Sequence, residues 1–286
     1  MLRRKFGWTG LDVPVIGMGT WMIEGKDRSA VRRAIEALRL GLDLGMNHID
    51  TAEMYGNGRA EEMVGEAVAG RRDQVFLVSK VLPSNASYEQ TLKACELSLK
   101  RLKTDFIDLY LLHWPSSQYP VNETMRAMEK LVDEGMIKFI GVSNFDLDQL
   151  REAQHALMKH RIACNQVLYH LGSRGIEGDL LSYCTETGIA IVGYSPFGHG
   201  NFPSPQSRGG RVLAEIAKKH SRTVRQVALN FLTRHPTLFT IPKAGKPEHI
   251  REISGALENW KLTDEDISAI ERAFPLPRSD KPLEMI

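Results

Sequence analysis

Short apolar runs and longer amphipathic stretches alternate along this chain. The apolar runs are mostly bounded by Gly, Pro, Asn or Ser, and such runs are typical of β-strands. They cover residues 15–17, 48–50, 75–80, 107–113, 139–143, 165–169, 189–194 and 239–243. Residues 189–192 are apolar without interruption, as expected of a strand that is buried on both faces. The pattern therefore predicts a buried, parallel sheet.

The stretches between these runs predict helices, because apolar residues recur there at three- and four-residue steps. The first stretch contains Val31, Ala34, Ile35, Leu38 and Leu42. The same spacing occurs at Leu92, Cys95, Leu99 and Leu102, and again at Leu147, Leu150, Ala153 and Leu157. Asn144 and Asp146 precede the last stretch, and both residue types cap helix N-termini.

Eight strands, each followed by a helix, predict an α/β fold of the (β/α)8 TIM-barrel type. No linker-like or low-complexity stretch divides the chain, so we expect a single barrel domain over residues 1–286. A doubly wound sheet is the alternative. The first strand–helix turn, residues 17–22, lacks the third glycine of a dinucleotide-binding fingerprint, which disfavours that alternative.

Two further segments have a recognisable pattern. Residues 5–14 predict a β-hairpin with a glycine turn, which in a barrel would cap the N-terminal face. Residues 198–210 are rich in Gly, Pro, Ser and Asn and predict a mobile loop.

Composition limits the kinds of partner and the location that we expect for the chain. There are 37 Lys and Arg residues and 35 Asp and Glu residues, giving a net charge of +2, which argues against nucleic acid as a partner. No apolar run approaches the roughly 20 residues of a membrane span, and no apolar stretch follows the basic residues 3–5, so we do not expect these residues to be a secretory signal. Cys95, Cys164 and Cys184 are scattered, as in a protein of the reducing cytoplasm, and show no metal-ligand spacing. We expect a cytoplasmic monomer or weak oligomer without a metal.

Polar side chains stand at the ends of three consecutive predicted strands. Asp50, Lys80 and His113 end these strands, and Tyr55 follows the first of them. The carboxyl ends of neighbouring barrel strands lie side by side, so the four side chains should share one pocket. A buried lysine needs a counter-ion, and Asp50 is available. We expect charged Lys80 to lower the pKa of the Tyr55 phenol from about 10, which would make it a general acid near neutral pH.

His113 in such a pocket would donate a hydrogen bond to a carbonyl oxygen. Together the four groups suit one task, the protonation of an oxygen that gains negative charge when hydride arrives at its carbon. Each residue alone has an ordinary interpretation: a surface lysine, a turn aspartate, a core histidine or a packing tyrosine. Their co-occurrence at successive strand ends favours a site.

These residues lie in motifs that resemble the aldo-keto reductase family. Residues 48–56, HIDTAEMYG, resemble the segment around the catalytic Asp and Tyr of that family. Further matching motifs follow in the family's order at residues 79–80, 112–115, 141–145, 165–166, 193–197 and 241–243. The resemblance covers nearly the whole chain.

The resemblance implies a barrel that binds NADPH in extended form across its C-terminal mouth. It implies that Tyr55 is the proton donor, that His113 orients the carbonyl, and that Lys80 and Asp50 tune Tyr55. It places cofactor contacts at Gly19, Thr20, Trp21, Asp50, Ser143, Asn144, Gln166, Tyr194, Ser195, Pro196, Phe197, Gly198, Ile241, Lys243, His249 and Glu252. The implied substrate-binding residues are Trp21, Tyr55, His113 and Trp114.

The far end of the cofactor site departs from the family pattern. Ala244, His249 and Ile253 stand where many NADPH-preferring members carry Ser, Arg and Asn. The loss of a hydroxyl and a guanidinium removes contacts to a 2′-phosphate. Lys243 and Lys246 still supply positive charge. We expect NADPH to be preferred by a reduced margin, with NADH also used.

The function implied is a carbonyl reductase for small or varied aldehydes and ketones. The segment 114–120 is short and little chain follows Phe274, which indicates an open pocket. One alternative is a cofactor-binding regulatory subunit, since some barrels of this family attach to ion channels, usually with an extra N-terminal segment. Another is a barrel enzyme of unrelated chemistry, which would need a metal or phosphate site elsewhere.

Overall fold

The computed structural model describes residues 1–25, 27–277 and 282–286. Two short strands, β1 (Arg3–Lys5) and β2 (Asp12–Pro14), form an antiparallel hairpin at the start of the chain. Eight strands then form a parallel sheet: β3 (Met18–Gly19), β4 (His48–Asp50), β5 (Phe76–Val81), β6 (Ile107–Leu112), β7 (Ile137–Ser143), β8 (Ile162–Leu168), β9 (Ala190–Tyr194) and β10 (Leu238–Ile241).

Helices follow the strands and cover the outside of the sheet. They are α1 (Arg28–Asp43), α2 (Arg59–Val68), α3 (Tyr88–Leu102), α4 (Val121–Asp133), α5 (Leu147–His155), α6 (Asp179–Thr187), α7 (Arg208–His220), α8 (Val224–Leu232), α9 (Pro247–Ser254) and α10 (Asp264–Ala273). Both α7 and α8 lie between β9 and β10, and α10 follows the helix of the last strand.

The sheet closes into a barrel. Its strands pair in sequence order from β3 to β10. The amide of Gly17 donates to the Thr240 carbonyl (2.8 Å), and the Thr240 amide donates to the Val15 carbonyl (2.9 Å), which joins the last strand to the first. The (β/α)8 prediction is confirmed, and the doubly wound alternative is wrong. The barrel form matters for function because it brings all eight strand ends to one rim.

Two local predictions were wrong. The first barrel strand is Met18–Gly19 rather than residues 15–17, because only Met18 and Gly19 of this described segment pair with β4. Asn144 does not cap α5. Its backbone has a φ of 61°, and its side chain bonds to other groups, whereas Asp146 is the N-cap.

The N-terminal hairpin covers the bottom of the barrel, as predicted. Phe6, between its strands, is fully buried and contacts the rings of Phe76 and Phe239, with centroids 5.0 and 4.9 Å away. These rings belong to a cluster inside the barrel that also contains Val78, Leu109, Leu111 and Val192. Apolar side chains therefore fill the lower half of the barrel, and a functional site is expected at the upper rim.

Other predictions of composition can be compared with the fold. All three cysteines are buried free thiols. Among the described residues, no helix combines the length and apolarity needed to cross a membrane. Within the same ranges, no three His, Cys, Asp or Glu side chains form a group that could hold a metal ion. The segment 198–210 is mostly irregular up to Ser207, the N-cap of α7, and its mobility stays a prediction.

Candidate active site

A cavity of about 530 Å³ opens at the C-terminal rim of the barrel, and we call it the inner cavity. Loops after most of the barrel strands contribute to its walls. Most of the sequence-predicted site residues line it: Gly19, Thr20, Trp21, Asp50, Tyr55, His113, Trp114, Ser143, Asn144, Gln166, Tyr194, Ser195, Pro196, Phe197, Ile241 and Lys243. The chain thus brings side chains from distant segments into one pocket.

A buried ionic chain lies at the base of the inner cavity. The Lys80 ammonium donates to an Asp50 carboxylate oxygen (2.5 Å), to the Thr51 carbonyl (2.8 Å) and to the Tyr55 hydroxyl (3.3 Å). Gln166 donates to the other Asp50 oxygen (2.7 Å). Lys80 and Asp50 are fully buried, so these bonds replace the water that both charges lost. The strand ends therefore hold one positive charge directly behind the Tyr55 phenol.

The pKa values correct one expectation from the sequence. Burial alone would lower the pKa of Lys80, but the Asp50 carboxylate and Tyr55 outweigh it, so the pKa is raised and Lys80 is charged. Burial raises the pKa of Tyr55 above 10 and outweighs the opposing effect of Lys80. The predicted lowering of the phenol pKa was wrong. Burial destabilises the phenolate by more than the nearby Lys80 ammonium stabilises it. Tyr55 is consequently protonated at neutral pH.

His113 faces Tyr55 across the cavity. Their ring centroids lie 5.6 Å apart at an angle of 72°. Burial and the nearby Lys80 charge hold the pKa of His113 well below its usual range, so its ring is neutral at neutral pH. Its Nδ1 atom is buried and has no hydrogen-bond partner among the described residues. A neutral imidazole carries one N–H, and no described residue accepts it, so it is available to a ligand in the cavity that His113 lines.

A polar network forms the opposite wall. Tyr194 donates its hydroxyl to the Asn144 side-chain oxygen (2.9 Å), and the Asn144 amide donates to the His113 carbonyl (3.1 Å). The Ser143 hydroxyl donates to the Gln166 carbonyl (2.8 Å). Burial raises the pKa of Tyr194 to about 12. Hydrogen bonds within the protein thus hold the amide and hydroxyl groups of this wall in place. The ring of Tyr194 lies in the same wall.

A second cavity of about 550 Å³, the outer cavity, continues from the first along the rim. Met22, Phe197, Gly200 and Lys243 line both cavities. His249 and Glu252, two further predicted residues, line the outer one. The two cavities form one elongated cleft with polar amides at one end and cationic side chains at the other. An extended dinucleotide matches this shape, and its phosphate groups complement the cationic end.

Two predicted residues do not reach the cleft. Lys80 lies behind Asp50 and Tyr55, and Gly198, with a φ of 70°, only turns the chain. The structure adds residues that the sequence did not reveal: Met22, Met54, His199, Gly200 and Ile286. Trp21 and His199 stack with centroids 4.8 Å apart, which joins the loops after β3 and β9. Ile286 contributes to the wall of the inner cavity, and the openness of this pocket stays a prediction.

A larger surface depression of about 720 Å³ lies elsewhere on the molecule. It is lined by Arg174, Glu177, Arg234 and neighbouring residues. Both arginines bind Glu177, with the Arg174 Nε atom 2.7 Å from its carboxylate. Burial would raise the pKa of Glu177, but the arginines hold it at about 2. These charges satisfy one another, so the depression is a structural ion cluster rather than a competing site.

Comparisons with known proteins agree with this geometry. The aldo/keto reductase family model matches residues 15–274. Methylglyoxal reductase YeaE of Escherichia coli (strain K12) is 42% identical, covering all of both chains. Glyoxal reductase of Bacillus subtilis (strain 168) is 36% identical over 92% of this chain and 89% of the relative.

The solved structures include close matches as well. An aldo-keto reductase from Klebsiella pneumoniae in complex with NADPH superposes with a TM-score of 0.92, at 40% identity and with full coverage of both chains. These relatives are reductases, which supports the enzyme and not the regulatory alternative. The chain therefore belongs to the aldo/keto reductase family, and it is an oxidoreductase that reduces carbonyl groups.

Proposed function

We propose that this reductase acts on small aldehydes, with 2-oxoaldehydes such as methylglyoxal as the preferred class. Two curated relatives carry the names methylglyoxal reductase and glyoxal reductase. The substrate end of the inner cavity has aromatic walls at Trp21, Tyr55 and Trp114, and Ile286 adds an apolar wall. Short substrates fit between these walls, whereas bulky ones would have to displace Ile286.

The cofactor is NADPH, which supplies a hydride to the carbonyl carbon. We assign the nicotinamide carboxamide to Ser143, Asn144 and Gln166, whose amides and hydroxyl are already oriented. Tyr194 offers a ring face for stacking, and that contact would fix the side from which hydride leaves. Ser195, Pro196 and Phe197 line the passage toward the outer cavity.

We assign the proton transfer to Tyr55. The carbonyl oxygen would lie between the Tyr55 hydroxyl and the N–H of neutral His113, which orients it. With hydride supplied to the carbon, the oxygen would become far more basic than a phenolate, so Tyr55 would give its proton to that oxygen although burial raises the phenol pKa. The Lys80 ammonium then neutralises the phenolate, and Asp50 keeps Lys80 in place. Water restores the Tyr55 proton after product leaves.

One observation carries this assignment. The buried Lys80 ammonium contacts both the Asp50 carboxylate and the Tyr55 hydroxyl. A buried lysine with a single carboxylate would be a structural ion pair. The additional contact to a phenol at the cavity surface supports a role for this charge in stabilising a phenolate during turnover.

Replacing Tyr55 with phenylalanine tests the role of the hydroxyl. Tyr55→Phe keeps the ring but removes the proton, so we expect kcat for methylglyoxal reduction to fall on the order of 10²- to 10⁴-fold. NADPH affinity, measured by fluorescence titration, should change little. Tyr183→Phe is the matched control, because Tyr183 lies on α6 and does not line either cavity. Undiminished turnover in Tyr55→Phe would refute the assignment.

Three broader properties remain proposals. We propose a cytoplasmic location, supported by three buried free thiols, which suit a reducing compartment. We also propose that residues 1–286 form one domain and that the protein is a monomer or weak oligomer. Size-exclusion chromatography with light scattering would test the last of these.

A further inference from the structure

The outer cavity is lined by unbalanced positive charge. Arg33, Lys243 and Lys246 line it, and none of the three has a carboxylate within 4.0 Å among the described residues. The acidic residue of its lining, Glu252, pairs with Arg225 at 3.9 Å. Three cations without an ion-pair partner among the described residues therefore face one cavity, and such a cavity favours a polyanionic ligand group.

Lys243 is partly buried among other charges. Burial lowers its pKa, Glu24 opposes that effect, and the like charge of Lys246 adds a smaller lowering. An anion bound between the two lysines would relieve the repulsion. Lys243 also lines the inner cavity, so this anion would belong to the molecule that occupies the whole cleft.

Arg33 reaches the cavity from an element that the sequence motifs did not include. It lies on α1, which packs along α9, and Ala30 one turn earlier lines the same cavity. The Arg33 guanidinium donates to the Ser29 hydroxyl (2.7 Å), which orients the side chain but leaves most of its donors unused. On α9, the residue that lines this cavity six positions after Lys243 is His249 and not an arginine.

We propose that Arg33, together with Lys243 and Lys246, receives the adenosine 2′-phosphate of NADPH, so that α1 supplies the guanidinium that is missing at position 249 of α9. This inference rests on NADPH being the cofactor. A guanidinium can bind a phosphate through two parallel hydrogen bonds, whereas each lysine contributes a point charge. Arg33 is thus a specificity-determining residue that separates NADPH from NADH.

Binding of cofactor fragments tests the proposal without turnover. Arg33→Gln should weaken 2′,5′-ADP on the order of tenfold, as expected for the loss of hydrogen bonds to a charged group, and leave 5′-AMP unchanged in calorimetric titrations. Arg32→Gln is the matched control, because Arg32 is adjacent, pairs with Glu36 (3.7 Å) and does not line the cavity. Arg33→Lys should recover part of the affinity.

Steady-state kinetics give a second measurement on the same variants. For Arg33→Gln we expect KM for NADPH to rise on the order of tenfold, with kcat and the KM for NADH unchanged. Equal weakening of 2′,5′-ADP and 5′-AMP, or no weakening of either, would overturn the proposal. Failure of the carbonyl reductase assignment would look different, because the wild type would then bind 2′,5′-ADP but turn over no aldehyde with either cofactor.

Discussion

His48 is a titratable residue held inside the lower half of the barrel. It is fully buried between the rings of Phe6 and Phe76, with centroids 6.2 and 5.5 Å away, and neither ring nitrogen has a well-formed hydrogen bond among the described residues. Burial lowers the pKa of His48 to about 4, although the Asp50 charge and the Pro14 carbonyl oppose it. The folded protein therefore holds this imidazole neutral.

Acid should destabilise the protein through this residue. The folded-state pKa is about 4 and the unfolded value about 6.5, so the unfolded state binds the proton first as pH falls. Stability is full above pH 6.5 and declines toward pH 4, by about 2 kcal/mol between pH 7 and pH 5. His48→Leu should lose this part of the pH dependence. Urea unfolding of both proteins at the two pH values measures it, and identical declines would contradict the prediction.

The sequence predicted the residues of the site correctly only where they lie at or follow the end of a strand. Asp50 and His113 were placed correctly because a strand pattern stops at or beside each of them. The raised pKa of Tyr55 was not predicted, since it depends on how completely the folded chain excludes water from the phenol. Ile286 was missed because its contact with the cavity depends on the path of the C-terminal segment, which leaves no local pattern.

At the scale of elements, α5 shows how local sequence sets a boundary beside the site. Asp146 accepts a bond from the Gln149 amide (2.9 Å), and the Gln149 side chain accepts one from the Asp146 amide (3.1 Å). This reciprocal capping box fixes the start of α5 two residues after Asn144, which lies in the cavity wall.

Removing the cap should cost a measurable amount of stability. We expect Asp146→Ala to lower the free energy of unfolding by about 1 kcal/mol, because the Gln149 backbone amide loses its partner. Asp148→Ala is the control, since Asp148 is in the same turn, is 96% exposed in its side chain and should cost only a few tenths of that. Thermal unfolding of both variants decides it, and equal midpoints would count against the capping role.

Element prediction succeeded where a strand carries its own apolar signal. Strand β4 matches its predicted bounds, and β5 to β10 were found with ends shifted by up to three residues. The first barrel strand was misplaced because residues 15–19 pair partly with β10 and partly with β4. This division depends on barrel closure. Asn144 was misread for a similar reason: its side chain serves the cavity and not a helix end.

At the scale of the whole molecule, the barrel separates stability from chemistry. Phe6, His48, Phe76 and Phe239 pack together at the bottom, whereas the polar groups of the inner cavity lie at the opposite rim. Strands β4 and β5 connect the two regions, because β4 carries His48 and Asp50 and β5 carries Phe76 and Lys80. Substitutions at the bottom should therefore change stability without changing turnover.

Phe6→Leu tests this separation. The smaller side chain leaves space between Phe76 and Phe239, and we expect the free energy of unfolding to fall by roughly 1–3 kcal/mol. At 25 °C the folded fraction stays near one, so kcat/KM for methylglyoxal and the Kd for NADPH should equal those of the wild type. Urea unfolding and steady-state kinetics on the same preparation measure both effects. A loss of kcat/KM in the fully folded variant would show that packing at the bottom of the barrel reaches the Asp50–Lys80–Tyr55 chain through β4.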